Sequence, residues 1–112
     1  MKAVYVCSPL KGDIETNVRR ANGYCRFVAK QGVIPLAPHV MFLGFLDDTI
    51  QAEREMGMAL GLEILKVCSE LWVFGEKISE GMQAEIKVAE IMGVPIQYFD
   101  EKCERRSAYS DT

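Results

Sequence analysis

The stretch LWVFGEKISEGMQAEI at residues 71–86 constrains this chain more than any other. It reads as a buried strand, a short loop and the first turns of a helix. The helix should start near Ser79, because a serine side chain caps a free backbone N–H and Glu80 then complements the positive end of the helix dipole. Such an end is a ready anion site. At about 100° per residue, Gln83, Lys87 and Glu90 form a polar stripe, whereas Glu85 falls among Met82, Val88, Ala89 and Met92 on the face that should pack on a sheet. A carboxylate there is paired, protonated or used in chemistry, since burying it charged and alone is too costly. A helical phase shifted by one residue would instead make it an ordinary solvated glutamate.

The remainder of the chain repeats this strand-then-helix pattern. Residues 3–7 are a short apolar run ended by Ser8-Pro9, which predicts a central strand and a loop through Asp13. Residues 14–31 turn helical, with Val18, Ala21, Cys25 and Val28 on one face, and Gly32 closes the helix. Asn17 falls on that inner face near the helix start, where it converges with Glu85 if the strands are parallel, or else bonds local backbone. Residues 33–37 read as a strand that Pro35 assigns to an edge. Pro38-His39 opens a loop, and residues 40–48 show no clear period, as a lid or pocket wall would.

A longer helix is predicted over 49–67, with Ile50, Gly57, Leu60, Ile64 and Val67 on its inner face and Glu53 among them. Met58, Leu62 and Leu65 form a second apolar stripe, which suggests a subunit interface and hence a homodimer or higher homo-oligomer, or a stripe covered by residues 40–48. After the strand at 71–75 and the helix at 79–92, Gly93-Val94-Pro95 leads to a last strand at 96–99. The fold expected is α/β, three layers, a flavodoxin- or Rossmann-like parallel sheet of four to five strands with helices on both faces. Residues 1–100 form the single domain and residues 101–112 a polar tail, read as a frayed end or an arm whose Arg105, Arg106, Ser107 and Ser110 reach a neighbouring subunit.

At 112 residues, about half of them hydrophobic, the chain can bury one core. Thirteen basic against sixteen acidic residues argue against a nucleic-acid binder. Cys7, Cys25, Cys68 and Cys103 are too widely spaced, with His39 the only histidine, to hold zinc, and no cofactor is called for. The first three fall inside predicted strands and helices and read as reduced thiols of a cytoplasmic protein, and without a leader or a long apolar run no membrane association is expected.

Ser79, Gly81 and Glu85 together form S-x-G-x-x-x-E after a strand and at a helix start. In this the chain resembles the nucleoside 2-deoxyribosyltransferase-like superfamily, in particular its 2'-deoxynucleoside 5'-monophosphate N-glycosidases, and is similar to a related bacterial and phage domain family of unknown function. The resemblance implies that Ser79 and Gly81 hold a 5'-phosphate and that Glu85 is the nucleophile. Tyr5-Val6-Cys7-Ser8-Pro9-Leu10-Lys11-Gly12 is similar to the family's first strand and the loop lining its base and sugar pocket. Pro38-His39-Val40 resembles a further pocket element. One departure stands out: the family's aspartate before the third strand corresponds here to Gly61, and Glu53, Asp47 or Asp48 would have to replace it.

The resemblance implies a retaining hydrolysis of a small-molecule nucleotide or nucleoside, in which Glu85 attacks C1' and expels the base. Glu53 is the second catalytic candidate. Binding falls to Ser8, Pro9, Leu10, Lys11, Gly12, Asn17, His39, Ser79, Gly81 and Met82. Two rivals remain open: a nucleoside deoxyribosyltransferase or ribonucleotide phosphoribohydrolase, and a nucleotide-binding module without turnover, for which Gly61 argues.

Overall fold

The computed structural model describes residues 1–108. Four strands, β1 (Ala3–Cys7), β2 (Ile34–Leu36), β3 (Glu70–Phe74) and β4 (Ile96–Phe99), pair in parallel in the order β2-β1-β3-β4. The helices are α1 (Ile14–Lys30), α2 (Pro38–Met41), α3 (Gln51–Val67) and α4 (Glu80–Met92). This is the α/β parallel sheet with helices on both faces expected from the sequence, with four strands among the described residues and Pro35 on an edge strand.

Alternation along the strands divides the core in two. Val4, Val6, Trp72, Phe74 and Phe99 meet Tyr24 and Val28 of α1 on one face. Tyr5, Cys7, Leu71 and Val73 meet Leu65 of α3 with Met82 and Ala89 of α4 on the other. The first face is aromatic: Tyr24 stacks on Phe74 at 4.5 Å between ring centroids, and Phe74 on Phe99 at 5.0 Å. α1 begins where Asp13 accepts the Thr16 amide at 3.2 Å, and α4 where Ser79 accepts the Met82 amide at 3.3 Å. Gly93, at φ +75°, ends α4 in the left-handed conformation that glycine takes without strain.

Four expectations need correction. In α3 the buried positions are Gly61 and Leu65, whereas Ile50, Leu60 and Val67 of the predicted inner face are exposed. Leu65 and Leu62, assigned to a subunit stripe, pack in the core instead. The helix is apolar on two sides, so periodicity could not say which one faces the sheet; the bulk of Tyr5 beneath Gly61 decides it. Residues 38–44, read as irregular, form α2 and a 3₁₀ turn, a helix too short to show a period and started by Pro38 at its first turn. Met92, assigned to the inner face of α4, is 37% exposed.

The chain after β4 turns back on itself. Arg105 bridges antiparallel to Phe99, the Arg106 amide donates to the Tyr98 carbonyl at 3.0 Å, and the Arg106 guanidinium approaches the Gly75 carbonyl at 3.4 Å. Arg105 and Arg106 therefore pack on their own domain, while Ser110 lies outside the described residues.

Candidate active site

The strand order reverses between β1 and β3, with α1 on one face and α3 and α4 on the other. In open α/β sheets, ligands bind beyond the carboxyl ends of the strands at such a point. A cavity of about 430 Å³ lies there, walled by α2, α3 and the start of α4, and its size is that of a small-molecule site. Phe42, Leu43, Leu46, Met58 and Leu62 give it an apolar wall, as expected if residues 40–48 form one side of a pocket.

Glu85 lines this cavity from the second turn of α4. One carboxylate oxygen, Oε2, accepts the Tyr5 hydroxyl; the other, Oε1, accepts the Cys7 thiol at 3.6 Å. Tyr5 and Cys7 are two residues apart on β1 and so share its face. Burial raises the Glu85 pKa, against the opposing pull of the Tyr5 and Cys7 hydrogen bonds. Burial, reinforced by the Glu85 charge, pushes both the Tyr5 hydroxyl and the Cys7 thiol upward, so both remain protonated donors. The result is a half-buried carboxyl group, held in place on both oxygens and open to the cavity.

Ser79 caps α4 at the cavity, and Glu80 and Gly81 occupy the first turn, where an α-helix leaves its amides without internal partners. A Cβ built on Gly81 would meet nothing within 4 Å. No protein packing requires a glycine there, and the open space beside it adjoins the cavity. Met82 is buried, its side chain in the core and its amide bonded to Ser79.

Ser8, Leu10, Lys11 and His39 also line the cavity. The buried Ser8 hydroxyl and His39 Nε2 share a 2.9 Å hydrogen bond, and burial pushes the His39 pKa down to about 4, so the imidazole is neutral near pH 7. Glu53 reaches the cavity, but its Oε1 accepts the Asp47 amide at 3.0 Å and so ties the loop to α3. Asp48 lines the cavity as well.

Pro9, Gly12 and Asn17 lie outside its lining. Asn17 donates to the Leu10 carbonyl at 2.9 Å and the Lys11 carbonyl at 3.0 Å, the local-backbone alternative, and thereby fixes the loop that carries Lys11. Pro9 instead faces Gly75, and Gly12 turns the loop at φ +96°.

Sequence reasoning passed over three lining or contacting residues. Tyr5 and Cys7 sit in an apolar strand and read as core there, although their separation of two residues placed them on one face. Arg54 lines the cavity from α3 and left no motif. Gly61 faces the Tyr5 hydroxyl, which would be 3.3 Å from a Cβ at that position. The position where the resemblance looks for an acid thus leaves room for the hydroxyl that holds Glu85.

The fold so defined is shared with the solved structure of a 2-deoxyribosyltransferase from the psychrotolerant bacterium Bacillus psychrosaccharolyticus, which superposes with a TM-score of 0.69. The two are 18% identical, and the match covers 96% of this chain and 77% of that one, a likeness of fold. The chain itself belongs to the family described as Domain of unknown function (DUF7768), whose model matches residues 2–99. Comparison with curated proteins gives no match.

Among the described residues no group of histidine, cysteine, aspartate and glutamate side chains could hold a metal ion, and no helix is long and apolar enough to cross a membrane.

Proposed function

We propose that this protein hydrolyses the N-glycosidic bond of deoxynucleoside 5'-monophosphates, with Glu85 as the nucleophile. One observation carries the reading: a cavity-facing carboxyl group is gripped on both oxygens by Tyr5 and Cys7, one turn from a helix start that offers amides to an anion. In the first step an oxygen of Glu85 bonds to C1' as the C1'–N bond breaks, and the electron pair leaves with the base, which takes a proton from water. In the second, water adds to C1', the ester bond breaks with its pair returning to Glu85, and the second proton passes to solvent.

A deoxyribose suits this site, because losing the 2'-hydroxyl eases formation of the oxocarbenium-like transition state without a second carboxylate. The 5'-phosphate would rest on the Glu80 and Gly81 amides with Lys11 alongside, and its binding energy would position the sugar. The base would lie against Phe42, Leu46 and Met58. The neutral His39 can orient a substrate group but does not supply a proton near pH 7. Self-association, if it accompanies this activity, has the exposed side of α3 available at Met56, Leu60 and Val67.

Glu80 supports a second reading. A carboxylate in the first turn of α4 opposes a phosphate there, which favours transfer of deoxyribose between unphosphorylated nucleosides, the activity named for the similar solved structure. The two are separated by incubating the protein with each deoxynucleoside monophosphate, its ribo counterpart and the nucleosides, with and without a second base, and following free and exchanged base by chromatography. Base released from deoxynucleotides, and lost in Glu85→Gln, is the expected result. Base exchange confined to nucleosides would establish the transferase. Saturable nucleotide binding without release of base would make the protein a binding module.

A further inference from the structure

Tyr5 and Cys7 contact the same carboxylate but are very unequal donors. The hydroxyl of Tyr5 is a strong donor; a thiol is a weak one, and at 3.6 Å the Cys7 contact is long even for sulfur bonded to oxygen. Cys7 is wholly buried at the carboxyl end of the central strand β1, where a small apolar residue would also fill the space. Its Sγ nevertheless lies within hydrogen-bond reach of Oε1, the oxygen that Tyr5 leaves free. We infer that Cys7 is a positioning residue that tunes the nucleophile: its thiol steadies Glu85 Oε1 without drawing off the electron pair that this oxygen needs for attack on C1'.

This rests on the proposed role of Glu85, and it adds a division of labour between the two oxygens. Oε2, bound to Tyr5, anchors the carboxylate. Oε1 forms the bond to C1' as the C1'–N bond breaks and the pair departs with the base, which is protonated by water. When water later takes C1', the pair returns to Oε1 and the thiol contact is restored. A hydroxyl in place of the thiol would hold Oε1 more tightly and blunt it, since charge-assisted O–H bonds are strong. A methyl group would leave Oε1 with no donor in a site that already disfavours charge.

Other titratable groups surround the carboxylate at greater remove. Lys11 and His39 line the cavity from the loop after β1 and from α2, Asp48, Glu53 and Arg54 from α3 and the loop before it, and Glu80 from α4. Cys68 and Tyr98 are the further titratable side chains packed with Tyr5 and Cys7 on this face of the sheet, and burial raises the pKa of both. Among the described residues, only Tyr5 and Cys7 have side-chain hydrogen bonds to Glu85.

The test compares wild type, Cys7→Ser and Cys7→Ala. Carbon-13 NMR of glutamate-labelled protein reads the titration midpoint of the Glu85 carboxyl, identified by its disappearance in Glu85→Gln. The pH profile of base release from deoxynucleoside monophosphates is recorded alongside. The midpoint is expected to move down in Cys7→Ser and up in Cys7→Ala, and the acid limb of the rate profile with it. The kcat should fall roughly five- to tenfold in both variants while KM stays within about twofold.

A merely structural cysteine would lower the unfolding midpoint of both variants and leave the carboxyl midpoint unmoved or shifted the same way in both; either result overturns the inference. Should one variant fail to fold, the sign of the shift in the other decides. Should wild type release no base at all, the proposed reaction fails, while the carboxyl titration still decides whether Cys7 tunes Glu85.

Discussion

The two faces of the sheet use the same strands for opposite purposes. Beneath α1, Phe74 lies stacked between Tyr24 and Phe99, with Phe27 edge-on to both Phe74 and Phe99, so the layer is aromatic and closed. Beneath α3 and α4, the alternate residues of β1 bring a hydroxyl and a thiol to a buried carboxyl group, and a cavity opens beside them. The first face has apolar area to stabilise the domain. The second places a group that resists burial beside an open cavity, where hydrogen bonds from Tyr5 and Cys7 hold it. A domain of this size can sustain that cost because the stabilising layer lies one strand thickness away.

Substitutions can test that division. The largest effect should come from Phe74→Ala, whose side chain is fully buried. It should lose about 3–5 kcal/mol of stability in urea denaturation, a large share of what a small domain has. Glu85→Gln should do the reverse: base release falls about 10³-fold while the fold holds. The sign with pH follows from burial. A carboxyl whose folded pKa is raised binds its proton more tightly when folded, so its contribution favours the folded state at low pH and is lost as pH rises through the raised value. Denaturation series across that range should show stability falling with pH in wild type, and a flatter slope in Glu85→Gln.

Gly61→Ala tests how tightly the two purposes are coupled. In a helix interior alanine is favoured over glycine by up to about 1 kcal/mol, but here its Cβ would crowd the Tyr5 hydroxyl at 3.3 Å. Base release should fall about tenfold with thermal stability little changed, measured by steady-state kinetics beside a melting curve. Gly81→Ala should have the smallest effect. It meets no protein atom, so stability should hold while KM for a phosphorylated substrate rises several-fold and binding of the matching nucleoside changes less, as titration calorimetry would show.

The parallel sheet, its central first strand and the edge position of Pro35 were legible in the sequence, because apolar runs and the strand-helix rhythm are local signals, whereas the aromatic layer under α1 was not. Ser79 as the cap of α4 and Glu85 as its inward carboxylate were legible for the same reason. The phase of α3 was not: with apolar residues on both sides, only the tertiary neighbour Tyr5 says which side faces in. Tyr5 and Cys7 escaped notice as partners of Glu85 because they are 80 and 78 residues away from it, and a hydroxyl or thiol inside an apolar run reads as packing. Asn17 does not converge with Glu85: it lies outside the cavity and its amide is spent on the carbonyls of the loop it supports.

The turn after β4 has a consequence for how such a domain behaves in crowded solution. A sheet with two bare outer strands invites strands of other chains to add to it. Here Arg105 and Arg106 lie along β4, and the opposite margin is a three-residue strand interrupted by Pro35, which has no N–H to offer. Both margins thus discourage the addition of foreign strands and fibre-like growth.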